Sequence, residues 1–172
     1  MRGQLLLVVA ALMIPGTLWA QTVQKVARAD IMNAKGGKIG AAELREVPGG
    51  VKIKLSVAQL PAGAHALHIH AVGKCDPPDF KSAGPHFNPN GKKHGSKNPE
   101  GAHAGDLPNF EIGKSGCAKV SLIAPQVTLG EGTNSLFHAD GTVLVIHEKA
   151  DDYLTDPAGN AGGRIACGIV RK

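Results

Sequence analysis

Aromatic residues are scarce in this 172-residue chain: four phenylalanines, one tyrosine and one tryptophan. Basic runs are missing too. The formal net charge is +5, yet no run of cations is longer than a pair, as at Lys92–Lys93. With so little to stack on bases and no basic stripe, a nucleic-acid partner is excluded; a mildly cationic surface still attracts small anions. Only three cysteines occur, none closely spaced, which removes zinc-finger and iron–sulfur schemes. The methionines are Met1, Met13 and Met32, so there is no methionine-rich copper motif. Helical periodicity and internal repeats are absent, and beyond residue 20 no apolar run is long enough to span a bilayer.

What is present begins with an N-terminal signal. Arg2 supplies a positive charge, Leu5 to Leu12 an apolar run too short for a membrane span, and Pro15-Gly16 a break before Ala20. Residues 1–20 are therefore expected to be a signal peptide and 21–172 one exported domain. No membrane contact is expected once the signal is removed. Export implies an oxidising compartment in which disulfides persist. Were Cys75 and Cys167 paired, they would close a loop of about ninety residues. Cys117 would then be left over, and it is expected as a small buried apolar residue.

Glycine (23) and proline (11) are plentiful, which suits many turns and short strands. The clearest alternation runs through Val51, Ile53, Leu55 and Val57, with Lys52, Lys54 and Ser56 between them. Further strands are expected at Thr22–Met32, Ile39–Val47, His65–Ala71, Ala118–Ala124, Thr142–His147 and Ile165–Val170, with hairpin turns at 35–38 and 48–50. The sum is an all-β chain, a Greek-key antiparallel β-barrel or sandwich of about eight strands.

Two stretches do not fit that pattern. Val72 to about Phe110 has no periodicity and six prolines, and Ala150 to Gly163 is a second polar loop. Loops of this length inside a compact domain need a reason to be ordered. The candidate reason is metal. His68 and His70, two apart on a strand, share a face, while Leu67 and Ile69 point the other way. His65, three positions from His68, faces away from the pair and is expected as a hydrogen-bonded or exposed histidine. His86, His94, His103 and Asp106 recur through the first loop, and His147 ends a later strand. One carboxylate among six imidazoles suits zinc and copper and poorly suits magnesium or calcium. Seven donors exceed one tetrahedral site and equal two four-coordinate sites sharing one ligand. Taken singly, each residue has an ordinary reading: a loop histidine is a surface group, Asp106 a turn cap, Asp151 and Arg164 a solvated charge pair.

The blocks HALHIHAVGKCD, SAGPHFNPNGKKHG, GAHAGDLPN, VLVIHEKADD and GNAGGRIACG resemble the Cu,Zn superoxide dismutases of the exported bacterial kind. That resemblance implies one copper held by His68, His70, His86 and His147, and one zinc held by His86, His94, His103 and Asp106. It implies His86 as a bridging imidazolate that also carries a proton. Arg164 would be the catalytic guanidinium that attracts superoxide, and Asp151 the acceptor of hydrogen bonds from His68 and His94. A Cys75–Cys167 disulfide would tie loop to barrel. The expected activity is dismutation of superoxide to oxygen and hydrogen peroxide in the periplasm, by a homodimer or a monomer. The alternative from another class is an exported copper/zinc buffer without turnover, which would need neither Arg164 nor a shared His86. A third reading, a β-sandwich stapled by metal, accounts for zinc but not for an open redox site.

Overall fold

A computed structural model describes residues 25–172, so the expected signal segment 1–20 lies outside the described residues. Among those described, the regular elements are nine strands and one short 3-10 turn, Lys81–Ala83. The strands are β1 (Val26–Asn33), β2 (Lys38–Val47), β3 (Gly50–Val57), β4 (Gly63–His65), β5 (Leu67–His70), β6 (Phe110–Ile112), β7 (Ala118–Ala124), β8 (Val143–His147) and β9 (Arg164–Ile169). Seven form one antiparallel sheet in the order β5-β8-β9-β1-β2-β3-β7, and β4 pairs with β6. Within it the spatial order β9-β1-β2-β3, with a late strand returning beside the first, is that of a Greek key. The expected all-β architecture holds, with nine strands rather than about eight. No helix among the described residues is long and apolar enough to cross a membrane.

The alternation of β3 does what its pattern dictates: Val51, Ile53, Leu55 and Val57 are buried, while its lysines face outward. The β2–β3 register sets Ala42 opposite Leu55 and Leu44 opposite Ile53, so one apolar layer runs across the sheet. Leu67, Ile69, Leu144 and Ile146 continue that layer on β5 and β8.

β5 and β8 are buried on both faces. Their second face carries His68, His70 and His147, together with Val143 and Val145 packed on Phe80, Ala83 and Cys167. The two long loops cover it. The outer edge of β5 is not left open: Ile69 N–H donates to Gly105 O (2.9 Å), Phe87 N–H to Ile69 O (2.8 Å) and Ala71 N–H to Pro85 O (2.9 Å). The loop thus satisfies an edge strand that would otherwise expose its backbone.

Three expectations need correction. The strand expected over His65–Ala71 is two strands in two sheets. Ala66 interrupts it because its N–H donates to Lys149 O and its carbonyl accepts from His147 N–H, both at 2.9 Å. β6 was not expected, since three residues are too few to show a period. Cys117 is exposed, not buried. It directly precedes Ala118, the buried first residue of β7, so strand alternation turns it outward.

Candidate metal centre

The site forms where β5 and β8 lie side by side. His68 pairs across from Val145 and His70 from Val143, and His147 ends β8. His70 Nε2 and His147 Nε2 come within 3.4 Å. The first loop returns along β5, pairing His70 with His86 and His68 with Asp106. The His86 ring then stacks obliquely on His68 with centroids 4.1 Å apart. His68, His70, His86 and His147 bring ligand atoms within 4.8 Å of one another, and His86, His94, His103 and Asp106 do the same. His86 belongs to both sets. The structure therefore gathers all seven candidate donors into two groups of four that share the expected residue.

The second set converges on one oxygen. The Nδ1 atoms of His86, His94 and His103 lie 2.9, 3.1 and 3.3 Å from Asp106 Oδ1, and His103 Nδ1 lies 3.4 Å from His86 Nδ1. Tetrahedral zinc with bonds near 2.0–2.1 Å sets its donors about 3.3 Å apart. The other oxygen, Oδ2, accepts the backbone N–H groups of Gly95 (2.9 Å) and His103 (3.0 Å).

Two buried imidazole nitrogens in these sets, His68 Nδ1 and His86 Nε2, have no hydrogen-bond partner. A buried unpaired polar atom costs about 1–3 kcal/mol, and a cation among the four imidazoles would satisfy both. The donor chemistry fits copper in the all-imidazole group and zinc in the His₃Asp group.

The remaining nitrogens orient the rings. His68 Nε2 lies 2.8 Å from Asp151 Oδ2, and His94 Nε2 lies 3.0 Å from Asp151 Oδ1, so one carboxylate spans both groups. His70 Nδ1–H donates to Gly84 O at 2.9 Å, and His147 Nδ1 lies 3.3 Å from Gly162 O. Asp151 is itself held by reciprocal bonds with Asn109. Asp151 N–H donates to Asn109 Oδ1, Asn109 Nδ2 donates to Asp151 O (both 2.8 Å), and Tyr153 N–H reaches Asp151 Oδ1 at 2.6 Å. A side-chain carbon on Gly159, where φ is +62°, would collide with Asp151 Oδ1 and His94 Nε2. Only glycine lets the second loop lie that close.

Burial disfavours the charged imidazole and pushes His68 and His70 down, and His86 and His147 down to about 4. Neutral rings are what a metal requires. His94 is the exception: burial opposes its charge, but hydrogen bonds to Asp106 and Asp151 outweigh that and raise it to about 9. Burial likewise opposes ionisation of both carboxylates. The imidazoles on Asp106 (His103, His86, His94) and on Asp151 (His68, His94) nevertheless hold both well below the usual carboxylate range.

Arg164 opens β9 with its guanidinium gripped by two carbonyls, Phe80 O and Gly84 O, each at 2.7 Å. It lines a cleft of about 820 Å³ with His70, His86 and His147, and Lys92 and Lys93 stand in the same wall. Arg164 does not pair with Asp151. His65 is not a donor in either set; its Nδ1 lies 2.8 Å from His147 O and its Nε2 3.0 Å from Pro61 O. The expected Cys75–Cys167 disulfide is present, with a Cα–Cα distance of 5.7 Å. Asn109, Gly159 and the carbonyls of Phe80 and Gly84 escaped the sequence reading. Nothing in their residue type points to metal, and their roles arise from backbone positions that leave no sequence signal.

Asp151→Ala is expected to weaken metal retention about 10- to 100-fold, because it frees His68 and His94 together. Competition against a chromogenic chelator measures this, and unchanged affinity would remove Asp151 from the orienting role.

Residues 37–170 match the model of the copper/zinc superoxide dismutase family. Superoxide dismutase [Cu-Zn] 1 of Aquifex aeolicus is 59% identical over 145 residues, covering 83% of this chain and 86% of that protein. Among solved structures, a SOD-like protein from Bacillus subtilis aligns at TM-score 0.80 and 42% identity, covering 83% of this chain and 96% of its own. The Cu/Zn superoxide dismutase from Brucella abortus aligns at TM-score 0.68 and 26% identity, covering 84% and 99%.

Proposed function

From the premise that this chain belongs to the copper/zinc superoxide dismutase family, we propose that His68, His70, His86 and His147 hold copper. In the same reading His86, His94, His103 and Asp106 hold zinc. The chain is a superoxide dismutase that uses copper and zinc and converts superoxide to oxygen and hydrogen peroxide. The observation that carries the assignment is His86, the one residue common to both donor sets, whose Nε2 is buried without a partner.

When bound, copper supplies the one-electron exchange with superoxide, and zinc, which has no redox chemistry, supplies charge and rigidity. The protein's residues do the rest. Arg164 draws the anion into the cleft. Its guanidinium stays charged at any working pH and is already pinned by two carbonyls, so little ordering is needed on encounter. Peroxide formation consumes protons, and His86 Nε2 is the atom that can hold one beside the reacting anion. Asp151 keeps His68 and His94 in the tautomer that offers Nδ1 inward.

The disulfide suits an oxidising compartment. It supports export by residues 1–20, a mature domain of 21–172 and a periplasmic location. The exposed large hydrophobic side chains among the described residues are Ile123 on β7 and Leu154 in the second loop. The assembly is a homodimer or a monomer, and the mass in sedimentation decides between them.

The test is superoxide decay after pulse radiolysis, on the mature chain with metal content counted first. Decay near the diffusion limit that needs copper and slows in high salt is expected. Copper and zinc bound without acceleration would leave the rival reading, an exported metal buffer.

A further inference from the structure

On the side of the sheet remote from the barrel core, β1 and β9 form a second cleft, of about 570 Å³, floored by the Cys75–Cys167 disulfide. Its walls follow from strand periodicity. Arg28, Asp30 and Met32 lie two apart on β1 and share a face, as do Cys167, Ile169 and Arg171 along β9 and its extension. Met32 sits opposite Cys167. Arg28 sits opposite Arg171, the two exchanging backbone hydrogen bonds of 2.8 Å in both directions. Two guanidiniums therefore leave the same face of the sheet side by side, an arrangement that repels itself.

The nearby acids make their close contacts elsewhere. Asp30 is taken by Lys38 at 2.7 Å. Glu43, opposite Arg28 on β2, is taken by Arg45 at 2.6 Å. Lys74 and Asp76 flank Cys75 with opposite charges. Neither Arg28 nor Arg171 makes an ion pair among the described residues. The cleft thus joins two planar cations free of ion pairs, suited to carboxylates, to a disulfide with one half-buried sulfur residue, Cys75, and one fully buried, Cys167.

We propose that the Arg28–Arg171 cleft docks a small carboxylate-bearing thiol and presents its sulfur to Cys75. The thiolate attacks Cys75 Sγ and the bond to Cys167 Sγ breaks. The electron pair stays on the Cys167 sulfur, which takes up a proton from water, and the ligand is left in a mixed disulfide with Cys75. A second thiolate attacks the ligand's sulfur in that mixed disulfide, releasing the oxidised ligand dimer and leaving Cys75 reduced. Opening the bridge reaches the metal site on the same outer face of the sheet, because Cys75 heads the stretch whose Phe80 and Gly84 carbonyls grip Arg164.

The experiment uses the mature, metal-loaded chain carrying Cys117→Ser, so that only this bridge yields thiols. Bridge opening is followed by alkylation and mass spectrometry with two reductants, dianionic mercaptosuccinate and neutral 2-mercaptoethanol. The ratio of the two rates is expected to fall about five- to tenfold in Arg28→Gln/Arg171→Gln at low salt. It should be retained in Arg28→Lys/Arg171→Lys, and 1 M salt should erase the difference between wild type and the glutamine pair. An unchanged ratio in the glutamine pair overturns the proposal. So does an equal acceleration with both thiols, which would assign the arginines to holding the sheet closed.

Discussion

Arg164→Glu is expected to lower kcat/KM for superoxide on the order of a hundredfold while copper and zinc content stay unchanged. The reversal puts a carboxylate where the cleft receives an anion, beside His70 and His147. It also removes the two donors that meet Phe80 O and Gly84 O. Arg164 belongs to neither donor set, so the metals should stay. Arg164→Lys should fall between the two, because a lysine keeps the charge but cannot span two carbonyls with a planar fork. Superoxide decay and metal analysis on the same samples decide the matter. Loss of metal in the glutamate variant would show that Arg164 is structural and would refute the steering role.

Loss of the disulfide should have the largest effect on stability. Cys75 and Cys167 are 92 residues apart, and a loop of that size corresponds to about 4–5 kcal/mol in the chain-entropy account. Cys75→Ala/Cys167→Ala is therefore expected to lower Tm by roughly 10–15 °C, read by calorimetry on the metal-loaded chain. Activity should fall as well, since the bridge ties the stretch containing Phe80 and Gly84 to β9, where Arg164 begins. A variant that melts as the wild type does would mean that the bound metals and the Phe80–Val145 packing hold this loop by themselves.

Much of the site could be read from the chain because its chemistry is carried by imidazoles, and six of the eight histidines fall between His65 and His103. His68 and His70 alternate with Leu67 and Ile69, and a period of two assigns the faces without any tertiary information. The donor count, with one carboxylate among imidazoles, narrows the metals by ligand preference alone. The alternation of β3 fixes which of its residues enter the core. These are local properties, set by strand geometry and side-chain chemistry.

What only the tertiary structure decided is how the two loops meet that strand face. Asp106 Oδ1 draws three imidazoles to one point, and His86 falls into both donor groups. Both facts depend on backbone bonds between the first loop and the edge of β5, which leave no periodic trace. Asn109 clamps Asp151 from 42 residues away, and Gly159 matters only because Asp151 and His94 crowd it. Cys117 faces solvent because it directly precedes Ala118, whose side chain takes the inward position at the start of β7. Arg28 and Arg171 become a pair only when the last residues return beside β1. Strand patterning and donor identity are short-range and belong to the sequence; convergence of distant loops is long-range, and only the folded chain supplies it.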